Sequence, residues 1–493
     1  MGRQRVVRRF VVALISVVAL QVGLSDQVAA GEQADRAVRV AKNLVDSGEA
    51  ESGTLLKLVV KQGNRAAFLG PDFRLQREWE ERTGILLDIN VMPQRPSLSF
   101  IRDADDVDLT IARNREYPDL YSRGLIEDLT PYIDRFGFDL PSEPPQGYLL
   151  ADKQAYFDGR VVAIPADGDV TLLYLRRDML RAPENRQRFR KAYGRELRPP
   201  RTWSEYTDLV RFFNDSQNGF YGAAEQRDPD SGWMTWMPRY LCRAAPDRYL
   251  FDEEMHPLID SPEGVAATRS YLATIPYSPP DILGKGNDYS YTLPFFMRGK
   301  AFSTVITVAG AKLFNKAGSE VAGKYGVYPM PGHVVDGRLV RRPTLMYGNN
   351  LVVPTSSPHK ALAFAFAMWL TDPDNSAASV GVAGGFSDPY RYHHLHDDHI
   401  RRVYTSSALE AVEKELPFTT PAGTGLPGDT EYIGALNDNL WRAGRGEITA
   451  REAMQRTAAA WEAITERHGR EQQIRYWRAF RSTYPEGTEA LGR

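Results

Sequence analysis

Two carboxylates flank a single glycine in Asp167-Gly168-Asp169. A carboxylate pair can act as acid and base on a glycosidic bond, or it can accept strong charge-assisted hydrogen bonds from hydroxyl groups. These two lie only two residues apart, with no nucleophile or metal signature beside them. That makes a carbohydrate-active hydrolase the weaker reading. In YHHLHDDH, His393, His396 and His399 recur every three residues, and Asp397 and Asp398 offer oxygens. No second ligand group is identifiable elsewhere, so neither a metal nor a cofactor is expected. Trp233 and Trp236 in SGWMTWMPRY have a spacing that serves a flat apolar platform and a core-facing helix equally. Cys242 is the only cysteine, which leaves no intrachain disulfide.

The elements that must hold such residues follow from the hydrophobic pattern. Leu55 to Val60 is an apolar, β-branched run that ends in Lys61-Gln62-Gly63-Asn64. A helix from Pro71 to Thr83 follows, stopped by Gly84. Ile85 to Val91 and Val107 to Ala112 read as further strands. Strands and helices alternating at this spacing imply βαβ units and a mainly parallel sheet. Ligands bind such sheets at the carboxyl ends of the strands, so the loops carrying Gln62, Asn64 and Arg65, and Arg113 and Asn114, are candidate contacts. Thr202 with Glu205, and Thr449 with Glu452, form capping boxes at two helix starts. ALAFAFAMWL, after Ser357-Pro358, is apolar nearly all round and must be buried on several sides. Residues 31–53 are polar, with little pattern beyond a short helix from Asp35 to Asp46.

Hydrophobic residues make up 42% of the 493-residue chain and charged residues 25%, which is globular composition with room for two or three domains. Arg3, Arg5, Arg8 and Arg9 precede the apolar run Phe10 to Leu20, and Val28-Ala29-Ala30 supplies small residues for cleavage. Residues 1–30 therefore read as a signal peptide. No cysteine follows the cleavage site, so a free periplasmic protein is expected rather than a lipid-anchored one. Removing those residues takes away four Arg and one Asp and leaves 57 basic against 62 acidic residues, a net charge of −5. That balance argues against nucleic-acid binding.

Six segments in order carry a resemblance. AYFDGRVVAIPADGDVTLLYLRRDML, PPRTWSEY, FFMRGKAFSTVITVAG, KYGVYPMPG, GNNLVVPTSSPHKALAFAFAMWL and GEITAREAMQRTAAAWE resemble the family 1 extracellular solute-binding proteins, the group that includes maltose-binding protein. The likeness runs from about Leu55 to Gly469. It implies an α/β fold of two lobes, each a mainly parallel sheet flanked by helices, joined by a multi-strand hinge. Crossings are expected near Pro165 to Asp169, Ser290 to Phe295 and Tyr347 to Leu351. Lobe one then comprises 55–165 plus 295–346 and lobe two 170–290 plus 350–470, with 31–54 an N-terminal extension and 471–493 a C-terminal tail.

The resemblance also implies roles. The loop bearing Gln62, Asn64 and Arg65 faces the ligand, and Asp167 and Asp169 sit where members place an acidic contact. Trp233 and Trp236 fall in the segment of aromatic sugar platforms, and Tyr432 lies near another. Thr307 and Ala309 stand where maltodextrin binders carry an aromatic, a departure that weakens maltose as the ligand. Asn349 and Asn350 lie at the third crossing, and the Gly-rich loop around Gly384 and Gly385 adds Arg391. The implied activity is capture of a sugar, polyol or sugar acid for an inner-membrane ABC permease, by a monomer. Arg65, Arg113 and Arg391 keep an anionic sugar in play. A periplasmic sensor feeding a membrane receptor is the alternative.

Overall fold

The computed structural model describes residues 31–92, 98–103, 106–245, 249–346 and 348–490. The signal peptide expected at 1–30 and the crossing residue Tyr347 lie outside them. Two four-stranded sheets organise the chain. The first has the order β8-β3-β1-β2, with β1 Leu55–Lys61, β2 Leu86–Met92, β3 Leu109–Ala112 and β8 Asn350–Val352. β1 runs parallel to β2 and β3, and β8 closes the edge antiparallel to β3. The second has the order β5-β6-β4-β7, with β4 Thr171–Arg176, β5 Tyr221–Ala223, β6 Ala301–Thr307 and β7 Tyr325–Tyr328. There only β5 and β6 are parallel, while β4 pairs antiparallel with both β6 and β7. The second sheet is therefore mixed rather than mainly parallel.

These pairings correct the expected lobe boundaries. β6 and β7 lie within 295–346 yet hydrogen-bond to β4, so that stretch belongs to the second lobe. β8 lies at the start of 350–470 yet hydrogen-bonds to β3, so the chain is back in the first lobe there. Ser290 to Phe295 is no crossing. It lies inside the helix Tyr289–Met297, which feeds directly into β6. Two of the crossings run side by side, marked by the bridges Ile164–Leu351 and Val170–Leu345, and the chain crosses again after the helix Lys360–Leu370, since Tyr432 and Trp461 lie in the second lobe's core.

The segments expected to be appendages are core. The helix Glu32–Asp46 buries Ala34, Ala37, Val38, Ala41 and Leu44 on one face. It packs on the helix Lys360–Leu370, which is buried from Leu362 to Leu370. Small alanines let the two backbones approach, and the larger Phe364, Phe366 and Trp369 fill the space around them. At the other end, the helix Arg470–Arg481 buries Tyr476 and Trp477. Glu489–Ala490 then adds a strand against Arg338–Val340. The capping box of Thr449 and Glu452 forms in full. Thr202 accepts from the Glu205 amide as expected, but the Glu205 carboxylate takes its hydrogen bond from the Arg201 amide instead. Among the described residues, no helix is long and apolar enough to cross a membrane.

Candidate functional site

Where the chain first crosses between the sheets, Asp167 and Asp169 project into a cleft of about 170 Å³. Ile306, Thr307, Ala309, Gly310 and Leu313 line it from the second lobe, at the carboxyl end of β6 and the turn of helix beyond. Lys61 and Arg113, at the carboxyl ends of β1 and β3, line it from the first. Tyr289, Leu293 and Phe386 add an apolar wall, and Asn349 and Asp388 complete the polar floor.

The floor is a cluster of acids. Carboxylate oxygens of Asp167, Asp169 and Asp388 lie within 4.8 Å of one another, all three residues buried. Asp167 is held firmly: one oxygen accepts from the main-chain and side-chain N–H groups of Asn349 (3.0 and 3.1 Å), the other from the Asp388 amide (2.9 Å). Asp388 accepts from the Tyr404 hydroxyl and has Lys312 Nζ at 3.9 Å. That ammonium also donates to the carbonyls of Gly385 and Ser387, at 3.1 and 2.9 Å. Asp169 is 4% exposed, and its Oδ1 has no hydrogen-bond partner. Burial, then the Asp388 charge, push the Asp167 carboxyl up to about 7 despite those amides. Burial, followed by the charges of Asp167 and Asp388, holds Asp169 well above the ordinary carboxylate range. Burial pulls the Lys312 ammonium down, opposed by the three acids.

The loop that delivers Asp388 and Phe386 is fastened on every side. The Phe386 amide donates to the Gly63 carbonyl (2.8 Å), and the Asn64 side chain donates to the Phe386 carbonyl. Ser387 Oγ donates to the Ala166 carbonyl at 2.6 Å. Gly168 is required here, because a Cβ on it would stand 1.7 Å from the Pro389 carbonyl oxygen. At the mouth, Lys61 Nζ donates to the Tyr289 hydroxyl (3.2 Å) and sits 5.4 Å from the centre of the Phe386 ring. Phe386 remains 40% exposed, an apolar face open to the cleft.

Of the residues singled out in the sequence, the structure brings together Arg113, Asp167, Asp169, Thr307 and Asn349. The others stand elsewhere. Gln62 is exposed at the start of the helix Gln62–Leu69 and does not line the cleft. Asn64 anchors the Phe386 loop from behind. Arg65 donates to the Ile89 carbonyl and so braces β2 (2.9 Å). Asn350 is consumed by Tyr117, Gln154 and Ala166. Arg391 donates to the carbonyls of Thr371 and Gln146 and to Gln33, over the face of Tyr148. Trp233 and Trp236 are buried in the second lobe's core. Trp236 stacks on Tyr240 at 4.9 Å and donates to Thr268, and Trp233 lies under Arg115. Tyr432 is buried against Phe251 and Trp461. Neither tryptophan nor Tyr432 is a platform for a ligand. The histidines diverge: His393 and His399 meet the carbonyls of Pro373 and Gly381, while His396 faces Glu413.

Sequence reasoning passed over Asp388, Phe386, Tyr289, Lys61 and Lys312. Asp388 and Phe386 sat in the glycine-rich loop that had been singled out for Gly384, Gly385 and Arg391. The remaining signal was their nearness to Gly385, where a side chain would crowd the first lobe: a Cβ there would stand 3.1 Å from the Ala67 Cβ.

Two α/β lobes with paired crossing strands and a polar floor between them define a two-lobed binding-protein fold. Residues 97–377, more than half of the chain, match the family described as bacterial extracellular solute-binding protein, and the chain belongs to that family. Solved structures agree on the fold. One is a solute-binding protein of an ABC transporter from Agrobacterium radiobacter K84 in complex with ribitol (19% identity, 84% of this chain and 99% of that one, TM-score 0.66). Another is maltose-bound MalE3 from T. maritima (20% identity, 83% and 100%, TM-score 0.66). UgpB from Mycobacterium tuberculosis in complex with glycerophosphocholine is also similar (17% identity, 85% and 99%, TM-score 0.63). No curated protein matches the chain.

Proposed function

We propose that the protein is the exported substrate-binding component of an ABC importer, a periplasmic monomer that closes its lobes on a small polyhydroxylated ligand and performs no reaction on it. The observation that carries this reading is the convergence of Asp167, Asp169, Thr307 and Asn349 from both crossing strands and the end of β6 on one cleft with an apolar wall. Buried acceptors orient hydroxyl groups, and the Phe386 and Tyr289 rings suit the apolar face of a sugar or polyol. Ribitol in the Agrobacterium protein supports a small ligand of this class. So does the volume: about 170 Å³ falls below the roughly 300–1,000 Å³ of sites for larger ligands. Of the three arginines that suited an anionic sugar, Arg65 and Arg391 are spent on carbonyls away from the cleft and only Arg113 lines it, beside three buried carboxylates, which favours a neutral ligand over a sugar acid.

The test is a thermal-shift screen of monosaccharides and linear polyols on the mature protein. A true ligand at a hundredfold excess over its dissociation constant stabilises by about 2.7 kcal/mol, and the shift should vanish in Asp169→Asn. A screen in which oligosaccharides alone bind, with Asp169→Asn unaffected, would move the site elsewhere.

A further inference from the structure

The end of the second lobe farthest from the cleft carries a charge that ligand capture does not use. Between Arg176 and Arg201 the chain places ten basic residues against three acidic ones, a net charge of +7. With residues 1–30 removed the whole chain stands at −5, so everything outside this stretch sums to −12. The sheet fixes where the stretch lies. Thr171, at the start of β4, pairs with Thr307, the end of β6 that lines the cleft. β4 runs antiparallel to β6, and its six residues end at Arg176, roughly 17 Å further from the cleft. The helices Arg177–Arg181 and Pro183–Tyr193 follow there. Lys300 and Lys324 precede β6 and β7 at the same end of the sheet and add charge, set against Glu320.

Arg181, Arg186, Arg188, Arg190, Lys191 and Arg198 are all exposed. Phe189 is the residue that the helix Pro183–Tyr193 buries, which turns its basic side outward. Acids answer part of this charge: Asp178 pairs with Arg176, Glu196 with Arg190, Asp208 with Arg195 and Glu205 with Arg198. Among the described residues, Arg181, Arg186 and Lys191 form no ion pair. A second observation narrows the partner. None of the large apolar side chains exposed on the described surface falls between Arg176 and Arg201. Protein–protein interfaces are built around an apolar core, and this face offers none. A polyanionic surface needs only charge. A bilayer with anionic headgroups is such a surface, and each Lys or Arg brought near it strengthens binding about fivefold.

We propose that this basic face docks the protein on a bilayer surface rich in anionic lipid, with the cleft turned to the solvent. The chain as a whole is acidic and such a surface repels it, so the +7 stretch both reverses that repulsion and sets the orientation. The proposal does not depend on the ligand. Held in this way, the protein is concentrated beside the membrane while its cleft stays open to capture. Attraction between exposed charges is screened beyond about 8 Å at physiological salt, so the docking is reversible and the protein is free to leave.

Co-sedimentation of the mature protein with lipid vesicles is the test. At low ionic strength it should bind vesicles of equal parts phosphatidylglycerol and phosphatidylcholine and not vesicles of phosphatidylcholine alone, and added salt should release it. The triple variant Arg181→Gln, Arg186→Gln, Lys191→Gln should bind the anionic vesicles about 100-fold more weakly. Its melting temperature should match wild type, because these side chains are exposed and form no ion pair. A control with the same change in charge, Arg39→Gln, Lys42→Gln, Arg451→Gln, alters exposed residues outside the stretch and should bind as wild type does. Equal binding to the two kinds of vesicle would overturn the proposal. So would binding to neither, which would leave the face to an acidic protein partner. An equal loss in the control would assign the attraction to total charge and overturn it as well.

Discussion

Asp169 is where function and stability pull apart. Its carboxyl is buried beside two other acids, with one oxygen unpartnered. The folded pKa values of Asp167, at about 7, and of Asp169 are both raised. Between the ordinary carboxylate range and neutrality, the native chain then binds more protons than the unfolded chain, so these groups make stability fall as pH rises. Asp169→Asn removes one of them. In the ligand-free protein the variant should match wild type below about pH 3, where the carboxyl is protonated in the folded and the unfolded chain. It should be more stable near pH 8, by about 1–3 kcal/mol. Chemical denaturation across that range measures the gap, and a gap that is constant with pH would contradict the assignment. Asp167 and Asp169 were singled out in the sequence because they stand where the resembling family places an acidic contact, and the structure brings both to one cleft. The place of Trp233 and Trp236 was not legible, because an i, i+3 aromatic pair reads the same on a core face as on a ligand face. Only the Thr268 and Tyr240 contacts decide it. Arg391 misled for a similar reason: its five donors suit an anion, but also the bare carbonyls at a helix end.

The element that matters most to the cleft is the loop 384–390, which brings Phe386 and Asp388 against the first crossing. Its fit depends on Gly168, since any side chain there meets the Pro389 carbonyl. Gly168→Ala should cost about 1–3 kcal/mol, the usual penalty of overpacking, and should lower ligand affinity by displacing Asp167 and Asp169. Gly384→Ala, in the same loop with nothing within 4 Å of its Cβ, should stay within about 0.5 kcal/mol of wild type. Equal effects from the two, by thermal denaturation, would argue that the loop does not press on the crossing. The sequence marked this loop as glycine-rich but could not say which partner the glycines served. The place of the helix Glu32–Asp46 in the core escaped for a different reason. Its buried stripe mixes three alanines and Gln33 with two valines and a leucine, weakly apolar beside the charged residues of its other face, and only the helix Lys360–Leu370 opposite reveals what it is for.

At the scale of the whole molecule, strand order in the sequence indicated α/β architecture and the family resemblance indicated two lobes, but pairing across long separations lay beyond both. Both 295–346 and the stretch from β8 through the helix Lys360–Leu370 were given to the wrong lobe, because local pattern identifies a strand and not the sheet it joins. The lobes also touch away from the crossings. Arg115, after β3, pairs with Asp429 at 2.7 Å, and Asp119 accepts from the Gly428 amide at 3.0 Å. Hydrogen–deuterium exchange, with and without the compound giving the largest thermal shift, tests capture between the lobes most directly. Protection should concentrate in 165–170, 306–313 and 385–390. Unchanged exchange in all three, with protection falling instead around 233–244 in the second lobe's core, would contradict it.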